Sequence, residues 1–157
     1  METGTSFPVV PVGQVPRTAK SSNGGRNRPV VLVVDDERVI ADTLAAILTQ
    51  CGFAAMTAYD GPAALEMAAL VPPELVITDV VMPGMSGIDL AIQLRASICD
   101  CAVILFSGSA TTADLLASAR IDGHEFVILT KPVHPADLLA SVSESFNAKS
   151  AVGAALD

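Results

Sequence analysis

The sequence predicts an α/β domain in which a parallel β-sheet lies between two layers of helices. Short apolar runs alternate along the chain with segments whose apolar residues recur at helical spacing. The apolar runs lack the polar alternation of a half-exposed strand, so each predicted strand is expected to be buried on both faces. A chain of 157 residues, 51% of them hydrophobic, is long enough to cover such a sheet as one domain.

The first two strands are predicted from short apolar runs separated by one helix. VVLVV (30–34) ends at a group of acids, and apolar residues at helical spacing follow it over 37–51. Gly52 is typical of a helix end, and FAAMTAY (53–59) is the second strand candidate. We expect each crossover between such parallel strands to be right-handed.

Turn residues bound the next two helices and the third strand. Asp60 is a suitable N-cap for a helix over 61–71, which ends before two prolines. ELVITD (74–79) is the third strand, and a Pro/Gly/Ser turn separates it from a helix over 86–97. The third strand therefore ends on a carboxylate immediately before a tight turn.

The last two units complete a predicted sheet of five strands. AVILFS (102–107) is the fourth strand, and a short helix over 110–121 follows it. EFVILT (125–130) is the fifth strand, and an amphipathic helix over 135–147 ends the domain. No repeat of fixed period accompanies this alternation.

The two ends of the chain differ in composition from the alternating region. Residues 1–28 are rich in Pro, Gly and Ser and lack apolar periodicity, so we predict a flexible N-terminal tail. The domain is predicted over 29–147, and residues 148–157 are predicted to be a C-terminal tail.

Charge is distributed unevenly between these regions. The net charge is −8, but residues 1–28 contain four basic residues and one acid. The remainder, with five basic and sixteen acidic residues, is strongly acidic. Nucleic-acid binding needs clustered Lys and Arg, so we expect no nucleic-acid partner. An acidic surface instead suits a cation or a basic partner surface.

The composition also favours a cytoplasmic protein. No uncharged apolar run approaches the roughly 18 residues of a membrane-spanning helix, and the N-terminus lacks the features of a secretory signal. Cys51, Cys99 and Cys101 have no disulfide-framework spacing, which argues against an oxidising compartment. We therefore expect no membrane insertion.

Charged and hydroxyl residues stand at the carboxyl ends of four of the predicted strands. In open α/β sheets the ligand site lies at the carboxyl ends of the strands, so these side chains are expected to converge. Neighbouring carboxylates repel one another, and a divalent cation such as Mg²⁺ relieves that repulsion. A carboxylate can attack phosphorus to form an acyl phosphate, a reaction that depends mainly on positioning and charge neutralisation. The residues are Asp35, Asp36, Asp79, Ser107 and Lys131.

Four motifs in order along the chain give a resemblance to a known family. VVLVVDDE, ITDVVMPGMSG, ILFSGSA and TKP each end a predicted strand or follow it directly. Together they closely resemble the receiver domain of two-component response regulators, over about residues 29–147. The resemblance implies a flavodoxin-like, doubly wound sheet of five parallel strands in the order 2-1-3-4-5. Five helices in two layers would cover it.

The resemblance also implies a role for each candidate residue. Asp79 would accept a phosphoryl group from a sensor histidine kinase or a histidine phosphotransfer protein. Lys131 would pair with that group, and Ser107 would be the switch hydroxyl that moves toward it. The family usually has an aromatic switch residue at the position that Ile128 occupies here, and Phe126 lies two residues earlier. The second switch residue would therefore be Phe126 or Ile128. The Mg²⁺ ligands would be Asp35, Asp36, Asp79 and the backbone carbonyl of Val81.

Three functional hypotheses follow. The first is a stand-alone response regulator, not an enzyme, that acts on an unknown downstream protein and can form a phosphorylation-dependent dimer. The second is a degenerate receiver that binds partners without phosphorylation. The third is an aspartyl-phosphate phosphohydrolase, which normally needs a second acid where this chain has Val81.

Overall fold

The strands and helices of the computed structural model follow the predicted alternation. It describes residues 28–98, 100–108 and 126–156, with side chains up to 148. Helices are numbered here in the order in which the described residues contain them. The elements are β1 (Val30–Val34), α1 (Arg38–Gln50), β2 (Ala54–Ala58), α2 (Gly61–Leu70), β3 (Leu75–Asp79), α3 (Gly87–Ser97), β4 (Ala102–Ser107), β5 (Val127–Thr130) and α4 (Pro135–Leu156).

All five strands belong to one parallel sheet, and their order is β2-β1-β3-β4-β5. The predicted fold class and strand order are therefore confirmed. The chain leaves β1 toward β2 on one side and returns to place β3 on the other. The connections consequently diverge between β1 and β3, and this divergence opens a crevice at the carboxyl ends of these two strands.

The helices cover both faces of the sheet, as the apolar strand runs predict. On one face, α1 and α4 contribute Ala41, Leu48, Leu138 and Val142 to a core with alternate strand residues. On the other face, the core residues of α2 and α3 include Ala64, Ala68, Leu90, Ala91 and Leu94. Burial of one large aliphatic side chain stabilises a fold by about 1.5–3 kcal/mol, so these two cores hold the central strands firmly.

One prediction about the end of the domain can be compared with the structure. The last helix was predicted to end at residue 147, and this is wrong, because α4 remains helical to Leu156. Residues 148–156 contain four alanines and no proline. Alanine has the highest helix propensity, so the helix continues past Lys149 and through Gly153. The helix predicted over 110–121 and the tail up to residue 27 lie outside the described residues.

Within the described part of the chain, no helix is both long enough and apolar enough to cross a membrane.

Candidate phosphoryl-transfer site

Three carboxylates meet at the carboxyl ends of β1 and β3. Asp79 is the last residue of β3, and Asp35 follows β1 directly. The register pairs Val34 with Thr78, so the next residues along the two strands, Asp35 and Asp79, lie side by side. With Asp36 they form a cluster in which one carboxylate oxygen from each residue lies within 4.8 Å of the others. The structure thus brings together three residues predicted to share one site.

Lys131, which directly follows the edge strand β5, brings a positive charge to this cluster. Its Nζ lies 3.1 Å from Asp79 Oδ2 and 3.8 Å from Asp35 Oδ2. The Lys131 N–H also donates to the Ser107 carbonyl at 3.0 Å, which extends the β4–β5 pairing up to the lysine. The following bond, Lys131–Pro132, is cis. The backbone hydrogen bond fixes the main chain of Lys131 beside β4, and the ammonium group contacts the carboxylates of Asp79 and Asp35.

Asp35 has an unusual environment for an acid. Its side chain is 1% exposed, and its Oδ1 accepts a hydrogen bond from Glu37 N–H at 2.9 Å. Burial raises the pKa of the Asp35 carboxyl, while the Glu37 N–H and the Lys131 charge act against this rise. The neighbouring charges of Asp79 and Asp36 raise the pKa further. A bound cation would therefore stabilise the ionised form of Asp35, which burial and the neighbouring carboxylates disfavour.

One oxygen of Asp35 also lacks a hydrogen bond. Among the described residues, Asp35 Oδ2 is a buried side-chain oxygen with no hydrogen-bond partner, because the lysine at 3.8 Å is too distant to donate. Buried polar atoms are nearly always satisfied, so this oxygen is a candidate metal ligand. Carboxylate oxygens are the ligands that Mg²⁺ prefers, so the donor set fits the predicted cation.

The backbone of Asp79 is fixed by the start of α3. Thr78 Oγ1 donates to the Asp79 carbonyl at 3.0 Å, and Gly87 N–H donates to the Val80 carbonyl at 2.8 Å. A Cβ on Gly87 would overlap the Asp79 carbonyl oxygen and would lie 2.9 Å from the Asp79 carbonyl carbon. Such distances are sterically forbidden without a shift, so a glycine is needed for α3 to approach β3 this closely. The sequence predicted a Pro/Gly/Ser turn between β3 and α3 but not this close contact.

The turn after Asp79 packs against α2. Gly84 has a φ of +84°, which favours glycine, and Met85 then turns toward the protein. A Cβ on Gly61, the first residue of α2, would lie 2.6 Å from Met85 Sδ. Val81 is 55% exposed, so its side chain lies at the rim of the site. The role of its backbone carbonyl as a metal ligand stays a prediction.

Ser107 and the two switch candidates occupy different levels of the sheet. Ser107 is half-buried and pairs with Thr130, one residue beyond the Phe106–Asp79 pair. Ile128 pairs with Leu105, so it lies on the same face as Ser107, and it is 42% exposed. It is therefore the nearer candidate to the site.

Phe126 precedes β5 at the opposite end of the strand. It lies four positions before Thr130, or about 13 Å at 3.3 Å per residue. The Arg95 guanidinium lies 4.9 Å from the Phe126 ring centroid, and Phe126 packs against the α2–α3 core. Phe126 therefore packs against α3, at the end of β5 that is far from Thr130 and its partner Ser107 on β4.

A second group of side chains beside the site was not predicted. The Arg38 guanidinium lies 4.2 Å from the centroid of the Tyr59 ring, and the Tyr59 hydroxyl donates to Asp42 Oδ1 at 2.6 Å. Tyr59 is the last residue of the predicted second strand, so the strand-end rule places it at this edge of the sheet but does not predict its contacts with Arg38 and Asp42. This group joins α1 to the end of β2.

The fold and this acid–lysine centre are those expected of a receiver domain of the two-component type. A family model described as the response regulator receiver domain matches residues 31–143. This match covers well over half of the chain, and the protein therefore belongs to the response regulator receiver family.

Relatives and solved structures agree with this assignment. The chain is 36% identical over 112 residues to the sensory transduction protein RegX3 of Mycobacterium tuberculosis, covering 71% of this chain and 48% of the relative. It is 31% identical over 115 residues to the DNA-binding response regulator MtrA of Mycobacterium leprae, covering 73% and 50%. The chain thus spans about half the length of the curated relatives it matches.

Two solved structures show the same architecture. A response regulator receiver domain protein from Clostridium thermocellum matches with a TM-score of 0.70 and 28% identity, covering 79% of this chain and 98% of that one. The signal receiver domain of an HD domain-containing protein from Pseudomonas fluorescens matches with a TM-score of 0.73 and 26% identity, covering 80% and 99%.

Proposed function

We propose that Asp79 accepts a phosphoryl group from the phosphohistidine of a sensor histidine kinase or a histidine phosphotransfer protein. The observation that supports this most directly is the 3.1 Å contact between Asp79 Oδ2 and Lys131 Nζ, inside a cluster of three carboxylates. An isolated carboxylate at a helix cap would need neither neighbour. The arrangement suits a nucleophile whose product carries additional negative charge.

In the proposed reaction, an oxygen of the Asp79 carboxylate attacks the phosphorus in line with the phosphorus–nitrogen bond. The new oxygen–phosphorus bond forms as the old bond breaks, and the imidazole nitrogen of the donor keeps the electron pair and takes up a proton. Lys131 Nζ, already beside Asp79, pairs with the phosphoryl oxygens of the acyl phosphate. Most of the rate gain in such a transfer comes from positioning and charge stabilisation.

Asp35, Asp36 and Asp79 would hold Mg²⁺, with the backbone carbonyl of Val81 as the further protein ligand. When bound, the ion would supply positive charge that offsets the mutual repulsion of the carboxylates and the phosphoryl oxygens. The unsatisfied Asp35 Oδ2 and the burial that raises the Asp35 pKa support this assignment.

The output of the proposed function is a change in a protein-binding surface. Ser107 would donate to a phosphoryl oxygen, and Ile128, on the same face of the neighbouring strand, would respond to its movement. Phosphorylation would then shift a population between two conformers, which an unknown downstream protein or a second copy of the chain distinguishes. We propose that this receiver acts in the cytoplasm through protein contacts, without binding nucleic acid and without turnover of a separate substrate.

The test is phosphorylation of the intact chain by acetyl phosphate and Mg²⁺, followed by intact mass measurement. We expect one labile phosphoryl adduct, which is absent from Asp79→Asn. The matched control is Asp89→Asn, which removes an exposed acid from the first turn of α3 and should leave the adduct unchanged. An unmodified chain under conditions that label another receiver would disprove the proposal. Many turnovers of a phosphomonoester would favour a phosphohydrolase.

A further inference from the structure

Asp36 differs from the other two acids of the cluster in how it is held. Asp35 is buried and directly follows β1, and Asp79 is the last residue of the buried strand β3. Asp36 is exposed, in the short connection between β1 and α1. One of its carboxylate oxygens nevertheless lies within 4.8 Å of an oxygen of each of the other two acids. The connection that carries Asp36 therefore needs support from elsewhere in the fold.

The start of α1 supplies little of that support by itself. Among the described residues, Glu37, the N-cap of α1, accepts no capping hydrogen bond with its side chain, and the first turn of the helix contains no acid. A side-chain cap and an acid in the first turn are the usual ways in which side chains stabilise the beginning of a helix. The beginning of α1, directly after Asp36, therefore depends on contacts with another element.

The carboxyl end of β2 provides these contacts on both sides of Asp36. The carbonyl of Ala58, the last residue of β2, accepts a hydrogen bond from Asp35 N–H at 3.2 Å. The next residue, Tyr59, is half-buried, and the Arg38 guanidinium lies 4.2 Å from the centroid of its ring. Two consecutive residues at the end of β2 thus contact the residue before Asp36 and the second residue after it.

Asp42 holds the tyrosine from the next turn of α1. The Tyr59 hydroxyl donates to Asp42 Oδ1 at 2.6 Å, a short hydrogen bond of the charge-assisted kind. Arg38 and Asp42 are four residues apart on α1, so they lie on one face of the helix, about one turn apart. Tyr59 therefore contacts α1 at two points, through its ring and through its hydroxyl group.

We propose that Tyr59 is a positioning residue for the proposed Mg²⁺ site. Its contact with Arg38 holds the connection so that the Asp36 carboxylate stays beside the other two acids. An exposed carboxylate on an unsupported connection has to be ordered when the ion binds, and that ordering costs free energy. With the tyrosine in place the connection is ordered in advance, so the affinity for the cation is higher. The inference rests on the proposed function, but it requires no contact of Tyr59 with the ion or with the phosphoryl group.

The test replaces the ring without changing the charge and measures Mg²⁺ affinity by calorimetric titration of the full chain without a phosphodonor. Tyr59→Leu should weaken Mg²⁺ binding about fivefold, the factor that an exposed contact between a guanidinium and an aromatic ring can supply. Tyr59→Phe keeps the ring, loses only the hydrogen bond to Asp42, and should weaken binding about twofold. Because Tyr59→Phe retains the packing of the ring, it tests the proposal even where Tyr59→Leu fails to fold.

The matched control is an aromatic residue at the other end of the same strand. Phe53 precedes β2 and stacks on Phe146 of α4, with 5.6 Å between the ring centroids. Phe53→Leu makes the same kind of change as Tyr59→Leu, far from the acids. It should lower the free energy of unfolding and leave the Mg²⁺ affinity unchanged.

Arg38→Gln separates positioning from simple electrostatics. Loss of a positive charge two residues from Asp36 would by itself strengthen the binding of a cation, whereas loss of the contact with the ring should weaken it about fivefold. Tighter binding in Arg38→Gln, unchanged binding in both Tyr59 variants, or equal weakening in Phe53→Leu would overturn the positioning role. Asp36→Asn tests the site itself and should weaken Mg²⁺ binding more than any of these variants. An unchanged affinity in Asp36→Asn would overturn the proposed cation site and the positioning role together.

Discussion

β3 and β5 both end at the functional site, but they are built differently. Every residue of β3 is buried, and β3 has a paired strand on each side. β5 is a four-residue edge strand, and three of its four residues are exposed. Asp79, the proposed nucleophile, is therefore held by the buried strand β3. Lys131 follows the exposed strand β5, and Ile128, the candidate output residue, lies on it.

This difference has a physical consequence for signalling. Local stability follows the number of buried apolar contacts and backbone hydrogen bonds, so β5 can change conformation at a lower free-energy cost than β3. A receiver needs both properties, because the reacting oxygen must stay fixed while the surface that reports the reaction must move.

The largest expected effect comes from matched truncations in the two strands. Ile77→Ala, in β3, removes a side chain that is 0% exposed and should lower the free energy of unfolding by about 3 kcal/mol. Ile128→Ala makes the same change in β5, where the side chain is 42% exposed, and should cost less than about 1 kcal/mol. Urea unfolding measures both values. Equal losses would show that β5 is as firmly packed as β3.

A smaller effect is expected at the contact between α3 and β3. Gly87→Ala places a Cβ against the Asp79 carbonyl carbon and Thr78 Oγ1 and should cost about 2 kcal/mol by overpacking. Helix propensity alone would make the same substitution stabilising by about 1 kcal/mol. The control is Gly108→Ala, whose Cβ would meet the Lys131 side chain at an ordinary 3.5 Å. A stabilised Gly87→Ala protein would contradict the close approach of α3.

The smallest effect concerns the acid that follows β1. The pKa of Asp35 is raised above 3.8 in the folded protein, so the protonated carboxyl favours the folded state. This contribution to stability is present below pH 3.8 and is lost as the pH rises through the folded pKa. Asp35→Asn should therefore be more stable than the parent at neutral pH in a chelator, with the difference vanishing in acid. Thermal unfolding against pH measures this. A difference that persists in acid would point to a cause other than ionisation.

Much of the fold and the site could be predicted because the signals are local. β-branched runs without alternation predicted buried parallel strands, and the strand-end rule placed Asp35, Asp79 and Lys131 at one edge. The contact of Gly87 with Asp79 could not be predicted in this way, since it depends on how closely α3 approaches β3. The Arg38–Tyr59–Asp42 group was missed for a similar reason, because it joins α1 to the end of β2.

The sequence by itself determined which residues form strands, which side chains follow them and which family pattern they match, because periodicity and turn chemistry act over a few residues. Only the tertiary structure decided that Asp35 is buried with one oxygen lacking a hydrogen bond, and that Lys131 Nζ lies closer to Asp79 than to Asp35. It also separated Phe126, held by Arg95, from Ile128 on the face of Ser107. Burial, distance and register are set by packing between elements far apart in the chain, and no local pattern encodes them.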